Sequence, residues 1–340
     1  MKKYNVAIVG ATGAVGHELL KVLAERDFPV GNLLLLASAR SEGKKMIWQG
    51  REYTVHEATP EVFEDVDLVL FAGGSISKTL APEAVKRGAV CIDNSSTFRY
   101  DSAVPLVVPE VNPEDVRWHK GIIANPNCST IQMVVALKPL YDAFGIKRVV
   151  VATYQAVSGA GKEGLTELEQ QIKQLAAGKE TFPETFPYQI ACNVIPHIDI
   201  FLDNDYTKEE MKMTWETQKM LHDENILLSA TAVRVPVFRS HAEAVHIETE
   251  RPVTAAEARE VLAKAPGVII QDDPAAKLYP MPLMSSDTDE VYVGRIRKDI
   301  AVENGISLFV VADQIRKGAA TNAVQIAQLL ATEDLIKPVQ

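Results

Sequence analysis

Cys128 stands in the run Asn125-Pro126-Asn127-Cys128-Ser129-Thr130. From Thr130 to Leu140 the apolar spacing predicts a helix, and Pro126 with Asn127 predicts a turn just ahead of it. The cysteine then falls at or beside the helix N-terminus, where backbone N–H groups and the helix dipole favour thiolate over thiol. A thiolate attacks electrophilic carbon, and the same N–H groups suit the oxyanion that develops there. The ordinary alternative is a small buried hydrophobe opening an apolar helix. Which reading holds depends on what the rest of the chain brings to the sulfur.

A second stretch with chemistry lies at the start of the chain. Tyr4 to Val9 reads as a strand, Gly10-Ala-Thr-Gly13-Ala-Val-Gly16 as a glycine turn, and His17 to Glu25 as a helix. Strand, turn and helix in that order are the setting of a dinucleotide fingerprint, here spaced G-x-x-G-x-x-G. Gly10 allows the tight turn, Gly13 lets backbone approach a pyrophosphate, and Gly16 lets the helix pack close. The next strand, Asn32 to Ala37, lacks the terminal Asp or Glu of an NAD site and continues Ser38-Ala-Arg40-Ser41-Glu-Gly-Lys44. Arg40 and Ser41 could hold a 2′-phosphate, which favours NADP, although the same residues suit a solvated loop.

The elements that must position these residues follow two patterns. Strands at Asp67–Ala72, Ala89–Asp93 and Gly121–Ala124, with a helix at Pro82–Arg87, continue an α/β pattern. Arg99 leaves the second of these strands toward the sheet edge where ligands bind. Beyond Cys128 come strands at Lys147–Gln155, Leu227–Val233, Ala242–Glu248, Gly267–Gln271, Val291–Arg297 and Ile306–Ala312, with few helices. Those helices are Lys208–His222, Ala255–Ala265 and an amphipathic one at Lys162–Ala177 with Leu165, Leu168, Ile172 and Leu175 on one face. The fold class is therefore α/β plus α+β. A Rossmann-like doubly wound parallel sheet occupies residues 1–127, completed by a C-terminal helix within 316–334. A second, α+β domain with a mainly antiparallel sheet occupies residues 128–316.

Composition narrows the function. The 340 residues are 47% hydrophobic, enough for two cores, and the net charge of −10 comes without a basic cluster, which argues against nucleic acid. No apolar run approaches a membrane span, and no signal-peptide core follows Met1. Three scattered cysteines suit a reducing cytoplasm and match no zinc spacing, so no metal is expected.

Several stretches in order carry a family resemblance: Gly10–Gly16, Asp93-Asn-Ser-Ser-Thr-Phe-Arg99, Asn125–Thr130, Tyr154-Gln155-Ala-Val-Ser-Gly-Ala-Gly161, Arg234-Val-Pro-Val-Phe-Arg-Ser-His241 and Lys317-Gly-Ala-Ala-Thr-Asn-Ala-Val-Gln-Ile-Ala. Over essentially its whole length the chain resembles the aspartate-β-semialdehyde dehydrogenase family. The resemblance implies NADPH-dependent reduction of 4-phospho-L-aspartate to L-aspartate-4-semialdehyde and phosphate, reversibly, on the route to lysine (through diaminopimelate), threonine, methionine and isoleucine. It implies Cys128 as nucleophile, His241 as acid/base and Gln155 at the acyl group. Arg234 would take the substrate α-carboxylate and Glu209 its amino group, while Arg99 and Lys212 would be phosphate ligands. Thr12, Gly13, Ala14, Val15, Arg40, Ser41, Ser158, Gly159 and Gln314 would contact NADP. A homodimer is implied, with residues 128–316 as the catalytic and dimerisation domain and a further pairing into a tetramer left open. The alternatives are an acyl-phosphate reductase like that acting on N-acetyl-glutamyl phosphate, and a non-catalytic dinucleotide-binding homologue. Glu210 leaves a one-residue shift open for the Glu209 and Lys212 assignment.

Elementary chemistry supports parts of this list. An acidic protein that binds a carboxylate and a phosphate must supply discrete Arg and Lys residues. His241 has an intrinsic pKa suited to moving a proton near neutrality, although a hydrogen-bonded strand histidine is the commoner case. Arg234 lies seven residues before His241, so in one unbroken strand the two would face opposite sides. Pro236 removes a ladder donor, and a bulge or bend there would bring them together.

Overall fold

A computed structural model describes residues 2–337. The chain forms two compact units, residues 1–127 with 319–340, and residues 128–318.

The first unit is built on β1 (Tyr4–Val9), β2 (Val30–Ala37), β3 (Lys45–Trp48), β4 (Arg51–Glu57), β5 (Leu68–Phe71), β6 (Val90–Asp93) and β7 (Ile122–Ala124). Their order is β3-β4-β2-β1-β5-β6-β7, and all neighbours are parallel except β3 with β4. Every residue of β5 and β6 is buried, as a parallel sheet covered on both faces requires. One face packs Leu19 and Leu23 of α1 (Ala14–Glu25) with Ile326 and Leu330 of the C-terminal helix Thr321–Thr332. The other packs Leu80 and Ala84 of α2 (Ser77–Lys86) with Phe63 and Phe71. The chain runs from β1 outward to β2 and returns to β5 on the other side of β1, which makes the crevice between those strand ends the switch point.

The β3–β4 hairpin was not expected from the sequence. Gln49 and Gly50 both have positive φ, 45° and 75°, and join strands paired Trp48 with Arg51. This is the two-residue turn whose twist suits a hairpin.

The second unit carries a sheet of β8 (Ile146–Gln155), β9 (Leu227–Arg234), β10 (His241–Thr249), β11 (Val268–Ile270), β12 (Val291–Lys298) and β13 (Gly305–Ala312), in the order β11-β12-β13-β10-β8-β9. Its centre is antiparallel, but the edge strands β9 and β11 run parallel to their neighbours, so the sheet is mixed. Helices α3 (Cys128–Phe144), α5 (Lys208–Leu221) and α6 (Ala255–Leu262) pack on this sheet. On β10, His241, Glu243, Val245, Ile247 and Thr249 alternate into the buried face. On the opposite face Val150, Tyr154 and Leu227 stay exposed.

Helix α4 (Gly161–Ala176) departs from its expected apolar stripe. Ile172 and Leu175 are exposed, whereas Glu167 and Gln171 are buried. The reason is backbone satisfaction: Glu167 accepts from Thr185 and Phe186 N–H, and Gln171 Oε1 accepts from Ile190 and Ala191 N–H.

Candidate active site

Helix α3 begins at Cys128 itself, which puts the sulfur at the positive end of the helix dipole. Gly318 packs against it: a Cβ there would lie 2.9 Å from Cys128 Cβ. The missing side chain is what lets Gly318 lie this close to Cys128. The other cysteines are unlike it, since Cys91 is buried, with its thiol pushed up by that burial, and Cys192 is exposed.

Arg234 ends β9 and His241 begins β10, and β8 lies between them. The parity problem therefore disappears, because residues 235–240 cross the end of β8 and the two residues never share a strand. Both side chains grip one peptide neighbour. Ala156 N–H donates to His241 Nδ1 at 3.0 Å, and Arg234 Nη1 donates to Ala156 O at 2.6 Å. A Cβ on Gly159 would lie 2.7 Å from Arg234 Nη1 and 3.2 Å from the His241 ring, so glycine keeps this corner open.

The backbone N–H at Nδ1 fixes the His241 tautomer: the ring proton sits on Nε2. His241 is fully buried, and among the described residues its Nε2 has no hydrogen-bond partner. Burial, and then the charge of Arg234, push its pKa down to about 3. Both effects favour the neutral ring, whose Nε2–H is then a hydrogen-bond donor. Burial also pulls the Arg234 guanidinium below its usual range, while the charges of Glu209 and Cys128 oppose that pull.

Gln155 closes the other side. Its Nε2 donates to Ser129 Oγ at 2.6 Å and to Glu209 Oε1 at 3.0 Å. The carboxylate can only accept, so this orientation is set, and Gln155 Oε1 is left buried without a donor. Glu209 Oε2 accepts from Lys212 Nζ at 2.8 Å, and Lys212 also reaches Asp199 at 2.7 Å. Burial works against the Lys212 charge, but Glu209 and Asp199 outweigh it and raise its pKa.

Glu209 and Glu210 have different partners. Glu210 forms a capping box with Thr207 and accepts the Ala232 N–H at 2.9 Å. It is occupied with the fold, and Glu209 is the carboxylate facing Gln155.

Ser158 and Gln314, expected at the cofactor, hold one another here. Gln314 Nε2 donates to Ser158 Oγ, and Gln314 Oε1 accepts the Ser240 N–H at 2.7 Å. Ser240 has a φ of 72°, so Gln314 braces the strained residue that aims His241. Sequence reasoning missed Ser129, Asp199, Ala156, Ser240 and Gly318 as parts of this site. Ser129 and Gly318 lay inside quoted stretches and could have been found. Ala156 acts through its backbone, which leaves no side-chain signal.

The first unit holds the remaining candidates. Gly10 has a φ of 86°, and a Cβ there would lie 3.2 Å from Ala72 at the switch point. A Cβ on Gly16 would fall 2.3 Å from Gly10 O, so both glycines are required for the turn to pack under α1. Gly13 precedes α1 without a side-chain cap, leaving Thr12, Ala14 and Val15 at a helix N-terminus suited to a phosphate. Arg40 is exposed after β2, and Ser41 accepts from Lys44 Nζ at 3.2 Å. Arg99 is buried and donates to Asn94 O at 2.8 Å. Among the described residues no His/Cys/Asp/Glu cluster suits a metal, and no helix is long and apolar enough to cross a membrane.

Comparison with known proteins gives the same reading. Residues 5–119 match the family model "Semialdehyde dehydrogenase, NAD binding domain", and residues 137–317 match "Semialdehyde dehydrogenase, dimerisation domain". Aspartate-semialdehyde dehydrogenase of Aquifex aeolicus is 61% identical over 98% of this chain and 99% of its own. The chain belongs to the aspartate-semialdehyde dehydrogenase family. The Bacillus subtilis member is 53% identical over 98% of this chain and 99% of its own. Among solved structures, aspartate semialdehyde dehydrogenase II of Vibrio cholerae complexed with ASA superposes with a TM-score of 0.95 at 52% identity, over 98% and 99% of the two chains. The Candida albicans enzyme with NADP has a TM-score of 0.76 at 25% identity, over 98% and 100%. The chain is an oxidoreductase of amino-acid biosynthesis that binds a nicotinamide dinucleotide and carries a dimerisation domain. Neither the N-acetyl-glutamyl phosphate reductase reading nor the non-catalytic reading is favoured beside these relatives.

Proposed function

We propose that Cys128 forms a thioester with the substrate acyl group, and that phosphate and NADP are the co-substrates in the oxidative direction. The observation that carries this reading is the gathering of the Cys128 helix start, Arg234, His241, Gln155 and Glu209 in one unit. In the reductive direction the thiolate attacks the acyl phosphate carbon, the carbon–sulfur bond forms, and phosphate leaves. The bound dinucleotide supplies the hydride that reduces the thioester carbon. His241 Nε2–H then serves the acyl oxygen as a neutral donor, in the manner of an oxyanion hole, as the carbon–sulfur bond breaks to release aldehyde.

Substrate recognition follows from charge. Arg234 takes the α-carboxylate. Glu209 and the donor-less Gln155 Oε1 are both acceptors, and together they suit an α-ammonium rather than an acyl oxygen. On this reading Gln155 serves the amino group rather than the acyl group, which disfavours any N-acylated substrate.

Arg99 and Lys212 remain the phosphate candidates. Lys212 is held by Asp199 and Glu209, and Arg99 by the Asn94 carbonyl oxygen. Losing one charge-assisted contact costs roughly 1.5–3 kcal/mol, or about ten- to a hundred-fold in binding. Arg99→Ala should raise the KM for phosphate by that factor, with a single-turnover hydride burst from semialdehyde intact. An unchanged phosphate KM removes Arg99 from the role.

NADP preference rests on Arg40 and Ser41, with Lys44 as a further cation at Ser41. Arg40→Ala should raise the KM for NADP about ten-fold and leave that for NAD within about two-fold. Equal losses with both cofactors would make Arg40 structural. Ser158, Gly159 and Gln314 complete the proposed cofactor contacts. We take the working assembly to be a cytoplasmic homodimer, with pairing into a tetramer as the further option.

A further inference from the structure

One buried carboxyl has no part in the chemistry above. Glu243 is fully buried on β10, two residues beyond His241 and on the same face of the strand. Gln132, equally buried, stands one helical turn after Cys128 on α3. The reactive pair and this pair therefore occupy matching positions on the same helix and strand, one step apart.

Among the described residues, both carboxyl oxygens of Glu243 and the Oε1 of Gln132 are buried with no hydrogen-bond partner, and Gln132 is near enough to bear on the Glu243 carboxyl. A single proton supplies the missing donor. As a neutral acid Glu243 gains an O–H that can donate to Gln132 Oε1, while Gln132 Nε2 donates to the His241 carbonyl oxygen at 3.4 Å. Burial raises the Glu243 carboxyl well above its ordinary range, which favours the neutral acid.

We propose that Glu243, as a neutral acid, is a positioning residue: it orients Gln132 and so ties the Cys128 helix to the backbone of His241. The chain of bonds runs Glu243 to Gln132 to the His241 main chain, and it touches neither substrate nor cofactor. An apolar pair of the same volume would fill the space at no polar cost, but it would leave nothing holding the His241 carbonyl from α3. This inference rests on Cys128 and His241 being the reactive pair.

The test compares E243Q, E243L and the double variant Q132L/E243L, each with NADP, semialdehyde and phosphate, by kcat, KM and melting temperature. Glutamine keeps a donor for Gln132 Oε1, so E243Q should hold kcat within about three-fold of wild type. E243L should lose at least ten-fold in kcat with the semialdehyde KM within about two-fold. Q132L/E243L leaves no unpaired polar atom and should recover the melting temperature while kcat stays at least ten-fold low. That double variant carries the test if E243L does not fold. If E243Q falls as far as E243L, or if the double variant recovers kcat along with its melting temperature, the positioning role is wrong. Failure of the underlying reading looks different, because Cys128→Ser would then still turn over.

Discussion

Replacing Cys128 by serine should lower turnover by at least about a thousand-fold while the protein folds and binds its dinucleotide. The change exchanges one atom at the start of α3 and disturbs little packing. It removes an ionisable nucleophile, and a serine there has no base to activate it, since His241 Nδ1 is taken by Ala156 N–H and its Nε2 already carries the proton. Alkylation of the wild type should kill activity in step with labelling at Cys128. Cys192 is exposed and will also react, but without loss of activity, and buried Cys91 should react last. Activity lost in step with Cys192 alone, with Cys128 unmodified, would remove the nucleophile from this account.

Arg234→Leu should produce the second-largest effect. The guanidinium is buried, bonded to Ala156 O, and balanced by the nearby Glu209 and Cys128. Its loss removes the counter-charge for the substrate α-carboxylate and leaves Glu209 less compensated. A fall in kcat/KM for semialdehyde of about a hundred- to a thousand-fold is expected, on the order of 3–4 kcal/mol. Most of it should appear in KM, and the KM for NADP should hold within about three-fold. Arg234→Lys should recover little, because one ammonium cannot bond a carboxylate and Ala156 O as the planar fork does. If the loss falls equally on the cofactor KM, Arg234 is holding the β8–β9 end together rather than binding substrate.

The sequence carried the parts of this site that depend on residue type and local pattern. The glycine turn between β1 and α1, the cysteine opening α3, and the strand ends bearing Arg234 and His241 were all legible, because turn glycines, helix starts and period-two strands leave local signals. What was not legible depended on partners far along the chain. Ile172 and Leu175 fit an apolar stripe, but the residues 185–191 needed acceptors, and Glu167 and Gln171 supplied them. Glu209 and Glu210 could not be separated until the capping box took Glu210.

His241 is the instructive case. Its residue type suggests titration near neutrality, but complete burial and Arg234 reverse that. The folded pKa lies below the unfolded value of 6.5. Stability from this group is therefore present above pH 6.5 and is lost as the pH falls toward 3, by up to about 1.4 kcal/mol per pH unit. Glu243 works with the opposite sign, since its raised folded pKa costs stability as the pH climbs above its ordinary value.

The most direct test of the covalent mechanism is a rapid-quench experiment with wild-type protein, semialdehyde and NADP, with phosphate left out. One equivalent of NADPH per active site should form in a burst and then stop. Mass spectrometry of the acid-quenched protein should find the aspartyl group on the Cys128 peptide, and adding phosphate should clear it and restart turnover. Steady NADPH production at full rate without phosphate, with free aspartate released and Cys128 unmodified, would contradict the mechanism.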